Sequence, residues 1–126
     1  MTPVILLAED DDPMRELLRE QLERRGWRVV EVEDGYEMKD YLALARPGGD
    51  LREPDAVVSD LRMPGADGLE VLGGFDHRDR VVLISAFADD ETRERAHSLG
   101  VTVVLAKPFR VEELIAEVER VLRGHA

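Results

Sequence analysis

PVILLAEDDDPMRELLREQLERRG, residues 3–26, sets two hydrophobic periods back to back. The first, PVILLA (3–8), is a short continuous apolar run, the pattern of a strand buried on both faces. The second repeats apolar side chains at Met14, Leu17, Leu18 and Leu22, which is helical spacing. Between them stand Glu9, Asp10, Asp11 and Asp12. Two carboxylates about 4 Å apart repel by about 4 kcal/mol at an effective dielectric near 20. Water, a helix N-terminus or a bound cation must offset that charge. Asp12 is expected to cap the helix, with Pro13 at its first position and Gly26 at its exit, and Asp11 to be solvated.

The same alternation runs to the end of the chain. WRVVEV (27–32) reads as a second strand, and DGYEMKDYLALA (34–45) as a second helix with Asp34 and Glu37 spaced as a capping box. RPGGDLREP (46–54) is a Pro/Gly-rich surface connection. DAVVSD (55–60) is strand three, followed by the loop DLRMPGADG (60–68) and a short helix, LEVLGG (69–74), that Gly73 and Gly74 end. RVVLIS (80–85) is strand four and DDETRERAHSLG (89–100) helix four, with acids in its first turn and a glycine at its end. VTVVLA (101–106) is strand five. RVEELIAEVERVLR (110–123) closes with Val111, Leu114, Ile115, Val118, Val121 and Leu122 on one face, although Arg110 stands where a capping Ser or Asp is the more natural residue. Five βα units in sequence imply an α/β fold, a parallel sheet with helices on both faces. At 126 residues the chain is expected to be one domain, 1–126, with no output domain of its own.

Composition narrows the function. A hydrophobic fraction of 44% beside 36% charged residues describes a globular chain, not a disordered tail. Zero cysteines exclude disulfides and thiolate metal or redox chemistry. A formal charge of −11 argues against nucleic-acid binding, which needs a basic patch. No apolar run reaches the roughly 20 residues of a membrane span, and the N-terminus lacks a basic n-region, so a cytoplasmic location is expected.

In doubly wound sheets, ligands sit at the carboxyl ends of the strands. Strand one ends at Glu9 and Asp10, strand three at Asp60, strand four at Ser85 and strand five at Lys107. Singly, each of these is more simply a turn or capping residue. Together they bring carboxylates, a hydroxyl and an ammonium to one edge, a set suited to phosphoryl chemistry. Mg²⁺ takes one or two carboxylates plus phosphate oxygens, which makes Asp10 and Asp60 candidate ligands, with Glu9 holding a metal-bound water. Asp60 is the better candidate nucleophile, its loop being punctuated by Pro64, Gly65 and Gly68. Lys107 supplies a point charge, Ser85 a hydrogen bond, and the small Ala86 leaves room for a phosphoryl group. His77, His97 and His125 have no metal spacing and read as solvated surface; Trp27, Tyr36 and Tyr41 read as packing residues.

ILLAEDDDPMRELL (5–18), VVSDLRMPGADGLEVL (57–72), VVLISA (81–86) and VVLAKPF (103–109) resemble the four signatures of the receiver domain of two-component response regulators. The resemblance implies a five-stranded flavodoxin-like sheet in the order 2-1-3-4-5. It implies phosphoryl transfer, with Mg²⁺, from the histidine of a sensor kinase or phosphotransfer protein to an aspartate. By position, Glu9 and Asp10 resemble the acidic pair, Asp60 the phosphoacceptor, Ser85 the switch hydroxyl and Lys107 the phosphate-binding lysine. Arg62 resembles the residue whose backbone carbonyl serves the metal. The phosphorylated form is then expected to reshape the face of helix four, strand five and helix five for a downstream protein. Three features depart from the family pattern: Val104 stands where Tyr or Phe is usual, helix three is short, and residues 45–54 lengthen a connection.

Two other functions compete with this switch, whose only catalysis is its own phosphorylation and dephosphorylation. One is a docking module that keeps the fold without using phosphate, which Val104 and the short helix three favour slightly. The other is a Mg²⁺-dependent phosphatase, disfavoured because Arg62 occupies the place of its second acid and no cap insertion exists. The cognate kinase, the downstream partner and any homodimer stay open.

Overall fold

The computed structural model describes residues 2–46, 49–65, 67–86 and 88–124. Strands β1 (Val4–Ala8), β2 (Arg28–Val32), β3 (Ala56–Asp60), β4 (Val81–Ser85) and β5 (Val103–Ala106) alternate with helices α1 (Asp12–Glu23), α2 (Gly35–Leu44), α3 (Gly68–Leu72), α4 (Asp90–Ser98) and α5 (Val111–Arg123). All neighbouring strands pair in parallel, in the order β2-β1-β3-β4-β5, as expected.

The period of two along each strand builds two cores. Leu6, Ala8, Val57 and Leu83 pack with Met38, Tyr41, Leu69, Leu72 and Ala96 beneath α2, α3 and α4. The alternate residues Ile5, Leu7, Val58, Val82 and Ile84 pack with Leu18, Leu22, Leu114 and Val118 beneath α1 and α5. Hence β1, β3 and β4 are buried at every position and read as continuous apolar runs. The edge strands β2 and β5 are only partly covered.

Most boundaries fall within two residues of expectation, and the differences have local causes. Strand five starts at Val103 because the Val101 N–H closes on the Ala96 carbonyl at 2.9 Å and belongs to the exit of α4. Helix α1 is capped by Asp11, not Asp12. The Asp11 side chain accepts from the Met14 N–H at 2.9 Å, and its carbonyl accepts from the Arg15 N–H at 2.8 Å. Asp12 is drawn into the first turn, where its carboxylate meets the Arg15 guanidinium at 2.7 Å. In α2, Asp34 caps the Glu37 N–H as expected, while Glu37 reaches one residue further back, to the Glu33 N–H at 2.9 Å. Helix α3 ends at Gly73, and a 3-10 turn, Arg78–Arg80, leads into β4. Arg110 does flank α5 without a side-chain cap.

Helix α4 is shallowly seated: of its described residues, Thr92 and Ala96 are the buried ones. From it, the Arg93 guanidinium reaches the edge strand and donates to the Val104 carbonyl at 3.0 Å.

The capping geometry makes a prediction. Asp11→Ala should cost about 1 kcal/mol, the usual value of an N-cap. Asp12→Ala, which removes an i,i+3 pair whose carboxylate is largely solvated, should cost less. Urea unfolding of the two variants checks this, and a larger loss at Asp12 refutes it.

Candidate functional site

The sheet's ladder runs one residue past three strand ends and carries the site with it. The Glu9 N–H donates to the Val32 carbonyl at 3.2 Å, Leu61 to Ile84 at 3.0 Å, and Lys107 to Ser85 at 2.8 Å. Glu9, Asp60 and Lys107 are therefore set by rigid backbone.

Glu9 is fully buried, at 0% exposure, and Asp60 is nearly so at 7%. The Lys107 ammonium bridges them, 3.0 Å from Glu9 Oε1 and 2.8 Å from Asp60 Oδ2. The remaining oxygens take backbone donors: Glu9 Oε2 accepts from the Asp11 N–H at 3.2 Å and Asp60 Oδ1 from the Arg62 N–H at 3.3 Å. Ser85 is buried at the end of β4, whereas Asp10, Arg62 and Ala86 are exposed at the rim.

Two glycines hold the loop after Asp60. A Cβ at Gly68 would lie 2.7 Å from the Asp60 carbonyl oxygen, too close for any side chain. Gly65 has φ of +94° and lies against the Tyr36 ring. Tyr36 is thus an exposed cover over that loop, not the packing residue expected. The adjacent Gly35 N–H holds the Pro64 carbonyl at 3.1 Å.

Electrostatics follow from this burial. Desolvation pushes the Glu9 carboxyl up from the usual 4.5 to about 7; the Lys107 hydrogen bond opposes the rise and the Asp60 charge adds to it. For Lys107, burial lowers the pKa, but the hydrogen bonds and charges of Asp60 and Glu9 outweigh it and the net direction is up. Lys107 therefore stays an ammonium. Glu9, Asp10 and Asp60 each place a carboxylate oxygen within 4.8 Å of the others. An all-oxygen donor set of this kind fits a hard divalent cation such as Mg²⁺.

The structure brings together the residues expected at the strand ends. Two further residues stand here: Asp11, expected to be merely solvated, whose N–H serves Glu9, and Arg15, not singled out from the sequence, whose Nη1 donates to the Glu9 carbonyl at 2.8 Å. The i,i+3 spacing of Asp12 and Arg15 was the signal available for Arg15. His77 proves to be partnered, 2.9 Å from Glu53, and lies far along the chain from these residues; His125 falls outside the described residues.

The sequence profile described as the response regulator receiver domain matches residues 5–119. The chain belongs to this family. It is 38% identical over 122 residues to the response regulator MprA of Mycobacterium sp. (strain KMS), covering 94% of this chain and 50% of that protein. The chain thus spans about half the length of the curated relatives it matches. Among solved structures, the non-phosphorylated HemR receiver domain from Leptospira biflexa superposes with a TM-score of 0.80 at 32% identity, over 96% of this chain and 94% of that one. The receiver domain of the Francisella response regulator 1452 shares the fold, with a TM-score of 0.85 at 24% identity over 99% and 100% of the two chains. No helix among the described residues is long and apolar enough to cross a membrane.

The Glu9 shift has a pH consequence. A carboxyl whose pKa is raised by folding favours the fold while protonated; that contribution is complete below about 4.5 and is lost as pH rises through about 7. In chelated buffer, the urea midpoint of the parent chain should fall over this range relative to Glu9→Gln, which has no proton to lose. A difference between the two that is independent of pH would falsify the assignment.

Proposed function

We propose that Asp60 is the phosphoacceptor of this receiver domain, taking a phosphoryl group from the phosphohistidine of a sensor kinase or phosphotransfer protein. The observation that carries the reading is the Lys107 ammonium held within hydrogen-bond distance of both Asp60 and Glu9. An Asp60 carboxylate oxygen forms the new P–O bond as the P–N bond of the donor breaks, and the imidazole nitrogen keeps the electron pair and takes up a proton. Lys107 then exchanges its contact with Asp60 Oδ2 for a phosphoryl oxygen. Ser85 stands at the adjacent strand end to donate a second hydrogen bond, and Ala86 leaves space beside it. Asp10 and Asp60, with Glu9 and the Arg62 carbonyl, are the groups that would hold Mg²⁺, which when bound would supply charge neutralisation for the phosphoryl oxygens. Catalysis by the domain is confined to its own phosphorylation and dephosphorylation.

The added group brings roughly −1.5 to −2 charges at neutral pH. Ser85 ends β4 ahead of α4 and Lys107 follows β5, so their reorientation acts on the face of α4, β5 and α5. The shallow seat of α4 makes that face the easiest to move. A groove of about 620 Å³ lies there, lined by Arg93, His97, Val101 and Val104 among others. Val104 is too small to act as an aromatic rotamer switch, so transmission rests on the α4 backbone. This face would meet the downstream protein, in a single domain (1–126) whose place is the cytoplasm.

Intact mass after incubation with a small phosphodonor tests the proposal. The parent chain should gain one phosphoryl group only with Mg²⁺ present, and Asp60→Asn should gain none. A folded parent chain that binds Mg²⁺ yet gains no mass would favour a phosphate-independent docking module.

A further inference from the structure

We propose that Arg15 is a positioning residue for the cation site, acting through the peptide that joins Glu9 to Asp10. This inference rests on the reading of Glu9, Asp10 and Asp60 as that site. The Arg15 Nη1 donates to the Glu9 carbonyl at 2.8 Å. Because that carbonyl belongs to the Glu9–Asp10 peptide unit, gripping it fixes the rotation at Glu9 ψ and at Asp10 φ together. Those two angles aim the Asp10 carboxylate. The other side of Glu9 is already held, its N–H by Val32 and its side chain by Lys107. Arg15 therefore restrains the peptide between a fully buried residue and the exposed ligand that follows it.

The guanidinium is itself immobilised. Its Nη2 reaches Asp12 Oδ1 at 2.7 Å and Glu33 Oε1 at 3.3 Å, and its Nε lies 3.7 Å from Glu31 Oε1. Its side chain is only 12% exposed. All three nitrogens are engaged, and the planar fork ties the first turn of α1 to the end of β2 across the acidic loop. Lysine has the charge but not the fork, and one ammonium cannot hold the carbonyl and both flanking carboxylates in the same geometry.

Charge and position predict opposite signs, which makes the inference testable. Arg15 is a cation near an acidic site, so by charge alone its removal should tighten Mg²⁺ binding. If it positions Asp10, its removal should weaken binding by about tenfold, the lower end of what outer partners of metal ligands cost. Mg²⁺ affinity would be measured by calorimetric titration of the full chain and of Arg15→Gln, Arg15→Lys and Arg19→Gln, each checked for native circular dichroism. Arg19 carries the same charge on the same helix and approaches Glu31, without touching the Glu9 carbonyl.

The expected result is weaker binding in both Arg15 variants and unchanged or tighter binding in Arg19→Gln. Equal or tighter binding in Arg15→Gln, or full affinity in Arg15→Lys, overturns the positioning role. Should Arg15→Gln fail to fold, the Arg15→Lys titration decides alone. A parent chain that binds no Mg²⁺ overturns the site reading itself, and this inference with it. Phosphoryl gain by mass under saturating Mg²⁺ gives a further readout: positioning predicts recovery as the cation is raised, whereas a general structural lesion predicts none.

Discussion

One ammonium among buried acids organises this molecule's working edge. Glu9 and Asp60 are withdrawn from water at the ends of the neighbouring interior strands β1 and β3, and Lys107 stands between them. Two carboxylates against one ammonium leave a negative charge uncompensated. Burial makes that excess costly and pushes the Glu9 carboxyl up to about 7, against the pull of the Lys107 hydrogen bond. A divalent cation held by Glu9, Asp10 and Asp60 would change the same balance. The four consecutive acids take four different places: Glu9 is paired, Asp10 is exposed, Asp11 caps a helix and Asp12 meets Arg15.

The fold was legible because its central strands are buried on both faces, so that each is an apolar run that gives way to polar residues at or just past its end. VILLA, AVVSD and VVLIS are such runs, and the residues that follow them mark the site. The parallel order brings the ends of β1, β3, β4 and β5 to one side, which is why residues far apart in the chain could be expected together. The edge strand β5 was harder to bound. Val101 and Thr102 share its composition, yet a carbonyl of α4 captures the Val101 N–H first.

What escaped the sequence were choices between equivalent partners. Asp11 and Asp12 are the same residue type one step apart, and both suit a cap. The decision was made by Arg15, whose guanidinium takes Asp12 while its N–H closes on the Asp11 carbonyl. Arg15 itself looked like one charge among many on an amphipathic helix; only the tertiary approach of β2 gives its fork Glu31 and Glu33. His77 was read as solvated because its partner, Glu53, comes from a different connection, brought near by the paired strands β3 and β4.

The contact between Arg93 and the Val104 carbonyl also bears on how the chain behaves in a crowded solution. An outermost strand offers its unpaired backbone groups to any extended segment that drifts alongside, and fibrils grow by such zipping. Here one of those carbonyls is taken by a charged side chain of the same molecule. A stranger strand would have to displace the guanidinium and bring its own backbone past a cation. The sheet therefore has a guarded margin on this side, and docking there favours side chains over strand addition.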